Sequence, residues 1–393
     1  MRIMLVNLAK MVNDSGGLAK VNCAFANEMV KRGHEVVTLY QDDLVGDTFF
    51  SLAPQVKVIN LQHAYGRDIV FPKYLKIKRE IIRAFSTKWG RNVNNEFKKN
   101  YLLENLKRAL AEFEPEIIIA FQPAASKLLL IDLNIKTPVI TMSHGDPEDY
   151  FHTYPPCELP ALEKSTVCQV LMPGFKQAIA SRYPNTRVEV IGNVLPQYHE
   201  QADLNADKKV YKIVFIGRLV KNHKRPHLLI AAFAEIAAKF PNWNVEIYGA
   251  EDKKSYTESL KKLIAENNLL GRVFLKGTTD DVAAVLKAAD LFVFPSAYEG
   301  FGLSVGEALS MGVPAIGYKS CSAINELIID GKTGILVADG IAPLARGMAE
   351  LMENKDKRIK LGSAAKLDMK KYSAAIIYEK WENLMNSIVN GQG

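Results

Sequence analysis

The sequence predicts an α/β protein of two doubly wound domains facing each other across a cleft, and three observations lead there. A chain of 393 residues exceeds what one hydrophobic core usually serves, so two domains of somewhat under about two hundred residues each are expected. Short β-branched-rich runs alternate with helical patterns in both halves, the order that builds parallel sheets. Between the halves, Leu195 to Lys209 turns polar before periodic apolar structure resumes at Lys212, the mark of a domain boundary. The expected bounds are 1–195 for the first domain, 196–370 for the second, and 371–393 for a terminal helix.

In chain order, Arg2 to Val6 is the first buried strand. Asn13-Asp14-Ser15-Gly16-Gly17 follows, and then a helical stretch with Leu18, Val21, Phe25 and Met29 on one side ends at Gly33. With the next run, Glu35 to Tyr40, this makes a βαβ unit. Glu116 to Phe121, Pro138 to Met142 and Arg187 to Ile191 are further strands of the first half. In the second half, strands at Ile213 to Ile216, Val245 to Tyr248, Val273 to Leu275 and Leu291 to Phe294 alternate with helices. After Gly340 the chain reads as helices, the last carrying Tyr378, Trp381 and Leu384 on an apolar face that needs a surface to cover.

Composition narrows the class. Hydrophobic residues make up 48% and charged residues 24%, values of an ordinary globular protein, and no repeat or low-complexity tract points to a solenoid or a disordered chain. The apolar start is too short for a signal-peptide core, so a cytoplasmic location is expected, with association at the inner face of the membrane as a further option. Four widely spaced cysteines without CxxC pairing fit reduced thiols better than disulfides or zinc. The formal net charge of +7 suits phosphates, anionic headgroups or nucleic acid and selects none of them. Residues 73–108 concentrate Lys and Arg among Tyr74, Ile77, Ile81, Phe85 and Trp89. Such a segment either lies on an anionic membrane or packs its apolar face on its own domain, and the sequence leaves both open.

Ligands of doubly wound sheets sit beyond the carboxyl ends of the strands. After Leu291 to Phe294 comes Pro295-Ser296-Ala297-Tyr298-Glu299-Gly300-Phe301-Gly302-Leu303-Ser304-Val305-Gly306-Glu307. Gly300 and Gly302 favour a loop with a helix beginning near Ser304, which lets Glu299 and Glu307 face one ligand. Free N–H groups at that helix start suit a phosphate, and a carboxylate accepts from a pair of sugar hydroxyls. After Ile213 to Ile216, Gly217-Arg218 is followed by Lys224 and Arg225. Two cations there would neutralise a diphosphate leaving group.

The Glu-x7-Glu pattern within Pro-Ser-x-x-Glu-Gly-Phe-Gly-Leu, followed by Glu-Ala-Leu-Ser-x-Gly-x-Pro, resembles family 4 of the retaining glycosyltransferases, which have the GT-B architecture of two Rossmann-like domains. The resemblance implies that Glu307 holds the nucleotide ribose, that Glu299 contacts the donor sugar, and that Gly300, Phe301, Gly302, Leu303 and Ser304 present backbone to sugar and phosphate. It places the family's two cations on Arg218 and Lys224, although His223 stands where the Lys more often falls. Gly249 and Gly277 occupy two further strand ends, with Lys276 to Asp281 the candidate base-binding segment; structural turns explain both glycines equally well. Gly16 and Gly17 are similar to the family's glycine loop, for which a plain βα turn is the alternative. His144, after the strand Pro138 to Met142, matches a family histidine near the donor sugar. Asn193 matches a family segment incompletely and reads as hinge-proximal. In the family the terminal helix crosses back onto the first domain.

What the resemblance implies is a retaining, metal-independent hexosyltransferase with no cofactor beyond a nucleotide-sugar donor, UDP-sugar favoured, and a glycan or glycolipid acceptor as in polysaccharide biosynthesis. His144, Glu299, Arg218 and Lys224 are its expected catalytic residues; no metal site and no nucleic-acid partner are expected. The alternatives are a sugar-nucleotide isomerase or phosphorylase on the same fold and a non-catalytic sugar-nucleotide-binding subunit. A nicotinamide dehydrogenase fits poorly, because the first glycine loop is not GxGxxG.

Overall fold

A computed structural model describes residues 1–14 and 16–391. Ser15 of the glycine loop and the last two residues of the expected 371–393 helix lie outside the described residues. The chain forms two α/β units, one of residues 1–191 joined by those from 378 onward, the other of residues 192–377. The first boundary therefore falls after Ile191 rather than Leu195, and the second after Ile377 rather than Lys370. Two contacts explain the shift. The Leu195 N–H donates to the Tyr372 carbonyl at 2.9 Å, and the Leu195 side chain fills the space over Gly306, where a Cβ would meet it at 2.6 Å. Both ends of the crossing are thus anchored in the second unit.

The first unit is a seven-stranded, all-parallel sheet of β1 (Arg2–Asn7), β2 (Glu35–Tyr40), β3 (Lys57–Asn60), β4 (Ile117–Ala120), β5 (Val139–Met142), β6 (Val167–Val170) and β7 (Val188–Val190). Its order is β3-β2-β1-β4-β5-β6-β7, so the winding reverses between β1 and β4. Ile3, Met4, Leu5 and Val6 have no solvent exposure, as a strand covered on both faces requires; each such side chain contributes roughly 1.5–3 kcal/mol of burial. The helix Gly17–Lys31 turns Ala19, Cys23, Ala26 and Met29 inward, and the chain leaves it through Gly33 at φ +85°.

The terminal helix Ala374–Val389 completes this unit. Phe25 meets Tyr378 and Trp381 edge-on, with ring centroids 6.1 and 5.1 Å away. Glu382 binds the Arg32 guanidinium at 2.5 Å and His34 at 3.1 Å.

The second unit is a six-stranded parallel sheet of β8 (Tyr211–Ile216), β9 (Trp243–Tyr248), β10 (Val273–Gly277), β11 (Leu291–Phe294), β12 (Ala315–Tyr318) and β13 (Gly334–Val337). Its order, β10-β9-β8-β11-β12-β13, reverses between β8 and β11. Phe215 and Phe294 stack at 5.4 Å in the core beneath that reversal. On the far side, buried Arg358 lies over the rings of Tyr211 and Trp243 at 5.4 and 5.0 Å and donates to the Leu351 and Met352 carbonyls, tying the helix Lys355–Asp368 to the sheet.

Candidate functional site

The reversal between β8 and β11 sets the loops after these two neighbouring strands side by side, which is where such sheets bind ligands. The sequence positions 218, 224 and 299–304 come together there although the two loops are some 75 residues apart in the chain. Arg225 does much of the joining. Its backbone is left-handed (φ +51°), which turns the chain so that Nε donates to the Pro295 carbonyl and Nη2 to the Ser296 carbonyl, both at 2.8 Å. His223 adds a contact between Nε2 and the Tyr298 carbonyl at 2.9 Å, and its ring stacks on Tyr298 at 4.3 Å with the planes nearly parallel.

Glu299 sits in the middle of this weave and is buried, 7% exposed. Its Oε1 accepts from Lys224 Nζ at 2.5 Å and from Ser296 Oγ at 2.6 Å, with His223 Nε2 3.5 Å away. Burial is the largest single influence on this carboxyl and pushes its pKa up. His223, Lys224 and Ser296 together outweigh it and hold the group below the ordinary carboxylate range. All three contacts fall on one oxygen, so Oε2 has no protein partner among the described residues. A buried, ionised carboxylate with one oxygen fixed and one available is an acceptor for a sugar hydroxyl.

The two predicted cations differ in state. Lys224 is committed to Glu299, whereas Arg218 is exposed and its guanidinium has no hydrogen bond or ion pair among the described residues. Arg218 is held by its backbone. Leu219 N–H donates to the Ala250 carbonyl and Gly217 N–H to the Tyr248 carbonyl, each at 2.9 Å, which prolongs the β8–β9 pairing past the sheet.

Gly249 and Gly277 serve this edge by their backbones. At Gly249 (φ +152°) a Cβ would lie 1.9 Å from the Gly217 carbonyl oxygen, and its N–H is spent on the Gly277 carbonyl at 2.7 Å. Gly277 takes φ +71° with open space about it. In the candidate base-binding segment, Asp281 caps the helix Val282–Lys287 by accepting from the Ala284 N–H at 2.9 Å.

Gly302 precedes the helix Leu303–Ser310 at φ +82°, and a Cβ there would strike Ile324 at 2.4 Å. The helix has no side-chain cap and no acid in its first turn, which leaves the N–H groups of its start, Leu303 and Ser304 among them, and the positive end of its dipole for an anion. Gly300 and Phe301 lie in the loop just before it; the Phe301 ring is buried and meets Tyr372 edge-on at 5.2 Å. Glu307 stands one turn into the helix, half-buried. Beside it is Tyr198, from the polar stretch that marks the domain boundary in the sequence. Burial first, then the negative charges of Glu307 and Asp281, push the Tyr198 hydroxyl up to about 12. A lone aromatic in the polar stretch 195–209 was the only signal for it.

The remaining candidates belong to the first unit, at the carboxyl edge of its sheet. Gly16 precedes the helix Gly17–Lys31 with ordinary extended backbone, and its N–H donates to Asp14 Oδ1 at 2.8 Å. A Cβ on Gly17 would meet nothing within 4 Å. The adjoining loop is held by the Asp42 carboxylate, which accepts from the Met11 and Val12 N–H groups at 2.9 Å each. His144 follows β5, its ring stacked on Phe121 at 5.5 Å. Burial pushes its pKa down to about 4, so the imidazole is neutral near pH 7. Its Nε2 is sealed from solvent without a partner among the described residues. The Tyr150 hydroxyl braces the loop, accepting from the Gly145 N–H at 3.2 Å and lying 3.1 Å from Ser143 Oγ. Among the described residues no group of three or more His, Cys, Asp or Glu could hold a metal ion.

Residues 197–368 match the model of the family described as glycosyl transferases group 1. The poly(glycerol-phosphate) alpha-glucosyltransferase of Bacillus subtilis (strain 168) is 31% identical over 191 residues, 48% of this chain and 28% of that protein. The poly(ribitol-phosphate) alpha-N-acetylglucosaminyltransferase of Staphylococcus aureus (strain COL) is 35% identical over 175 residues, 44% of this chain and 34% of that one. The match thus spans about a third or less of those relatives' length. Among solved structures, a mutant of S. aureus TarM in complex with Fondaparinux, alpha-GlcNAc-glycerol and UDP superimposes with a TM-score of 0.73 at 16% identity, over 98% of this chain and all of that one. The fold is that of GT-B glycosyltransferases.

Proposed function

We propose, from a chain whose residues 197–368 match the glycosyl transferases group 1 family, that the protein is a retaining, metal-independent glycosyltransferase moving a sugar from a UDP-sugar to a glycan or glycolipid acceptor. The observation that carries the reading is Glu299, ionised, buried and fixed through one oxygen, with an uncommitted Arg218 on the loop after the neighbouring strand. In the reaction the bond between the sugar C1 and the diphosphate oxygen breaks, and the electron pair leaves on the diphosphate. Arg218, Lys224 and the helix start at Leu303 stabilise that charge without a metal ion. The acceptor hydroxyl adds to C1 from the face the diphosphate leaves and gives its proton to the departing diphosphate oxygen. Glu299 Oε2 holds a donor hydroxyl and Glu307 holds the ribose; neutral His144 is the catalytic candidate of the first unit. The names of both curated relatives specify alpha transfer and the TarM complex contains UDP, which supports retention and the choice of nucleotide.

Thermal unfolding against uridine, guanosine and adenosine diphosphates and their sugar conjugates tests the reading. A uridine-selective rise is expected, since a ligand at 100 times its Kd adds about 2.7 kcal/mol to the folded state, and Glu307→Ala is expected to abolish it. No rise with any nucleotide overturns the donor site. Product analysis with and without acceptor separates transfer from isomerase or phosphorylase chemistry, and tight binding without turnover would identify a binding subunit.

A further inference from the structure

The basic segment of the first unit folds as a hairpin of two helices, Lys73–Phe85 and Thr87–Phe97. Ser86 joins them, accepting from the Trp89 N–H at 3.4 Å, and Gly90 lets the helices close, since a Cβ there would come within 2.9 Å of Arg83. The first helix has two apolar faces. Leu75, fully buried, and half-buried Ile82 point into the domain, with Arg79 over the Phe71 ring beside them. Tyr74, Ile77, Ile81 and Phe85, spaced three, four and four residues apart, form a second stripe that faces outward and is 60, 62, 58 and 89% exposed. Trp89 extends it at 54%, and a groove of about 420 Å³ runs beside it over Ile82 and Val93. Soluble proteins seldom leave so continuous an apolar ridge uncovered.

Charge identifies what covers it. Residues 73–108 hold eleven Lys and Arg against three Glu, which is the whole positive excess of a chain with formal net charge +7. Lys73 and Lys76, exposed on the same helix, have no ion pair among the described residues. A second copy of the chain would bring the same cations against these. A surface of negative headgroups over hydrocarbon satisfies both the cations and the ridge. We propose that this hairpin docks the protein onto an anionic lipid bilayer, with Ile77, Ile81, Phe85 and Trp89 entering the interface and Lys73 and Lys76 at the phosphates. Among the described residues no helix is long and apolar enough to cross a membrane, so the hairpin lies on the surface. The attachment is independent of the donor site and stands whether or not the transfer reaction does.

The chain carries its own probe, because Trp89 is exposed while Trp243 and Trp381 are 2 and 3% exposed. Vesicles of phosphatidylcholine with about one-third phosphatidylglycerol are expected to shift its emission to the blue and to co-sediment the protein. Vesicles of phosphatidylcholine alone are expected to do neither, and added salt should release the bound protein. Lys73→Gln with Lys76→Gln should weaken binding about 25-fold, roughly fivefold per cation. Ile77→Ser, Ile81→Ser and Phe85→Ser together should weaken it more than about a hundredfold. All these side chains are exposed, so unchanged thermal unfolding will show that the variants are folded. Three results would overturn the proposal: no shift with anionic vesicles, binding that survives either set of substitutions, or a solution dimer that the triple variant dissolves.

Discussion

Lys224→Met tests whether the centre of the site is a buried charge pair. Lys224 and Glu299 side chains are 16 and 8% exposed, so the substitution strands a largely buried carboxylate. Breaking a buried pair from one side costs about 3–5 kcal/mol. Ser296 and His223 still face Glu299 and the carboxyl can take up a proton, so the low end, about 3 kcal/mol, applies. For a unit of this size that lowers Tm by roughly 6–12 °C. Combining Lys224→Met with Glu299→Gln removes both charges and should return stability to within about 1 kcal/mol of the parent, as replaced pairs often do. The sign with pH is equally specific. In the parent the Glu299 pKa is depressed, so its contribution is present above the unfolded carboxyl pKa and is lost as pH falls through the folded one. In Lys224→Met burial dominates, the pKa rises, and the deficit should shrink as pH falls. Urea unfolding at pH 5 and pH 8 reads all of this. If single and double variants are equally stable, or the single lies within about 0.5 kcal/mol of the parent, the pair is not what fixes Glu299.

Three further outcomes are expected. Gly249→Ala drives a Cβ against the Gly217 carbonyl oxygen and should cost more than about 3 kcal/mol, while Gly277→Ala, with open space and only its backbone angle to strain, should cost about 1–2 kcal/mol; equal losses in urea would refute close approach as the reason for Gly249. Gly17→Ala, in the first turn of its helix with room for a methyl group, should keep or raise stability by up to about 1 kcal/mol yet slow transfer from the nucleotide sugar, and unchanged kcat/KM would make the glycine loop a plain turn. Because burial lowers the His144 pKa to about 4 from about 6.5 in the unfolded chain, the unfolded state binds more protons between those values, so stability should fall as pH drops from about 6.5 toward 4, by roughly 1–3 kcal/mol; His144→Gln should lose that part of the slope in a Tm-against-pH series.

The strands that could be read from the sequence were the aliphatic ones. Those it hid, β3, β6, β12 and β13, hid for separate physical reasons. β3 is a short edge strand, exposed along part of its length. β6 carries Gln169 in its interior, an apparent interruption until its side chain is seen donating to the Ile191 carbonyl. β12 and β13 contain Gly317 and Gly334, which read as loop punctuation but make room for Ile324 and for the Ala315 carbonyl. The acidic half of the site was legible because its spacing lies within one loop and helix. The contacts of His223 and Tyr198 were not, since they arise only when β8 and β11 become neighbours or the linker folds back beside Glu307. In the hairpin, periodicity showed an apolar stripe; only packing could tell that Leu75 faces in and Phe85 faces out.

The return of the last helix to the first unit has a consequence for how the chain is made. Phe25 is synthesised some 350 positions ahead of Tyr378 and Trp381, which cover it. A nascent chain can lay down all seven strands of the first sheet and still present a bare aromatic patch to the ribosome exit and to chaperones. Any stop codon or protease cut ahead of Tyr378 wounds the amino-terminal half at a distance of some 350 positions. Cutting the gene at Ile191 to obtain that half alone would therefore yield an unsealed body, while a circular permutant that begins near Ala374 and links its old ends would deliver the seal first.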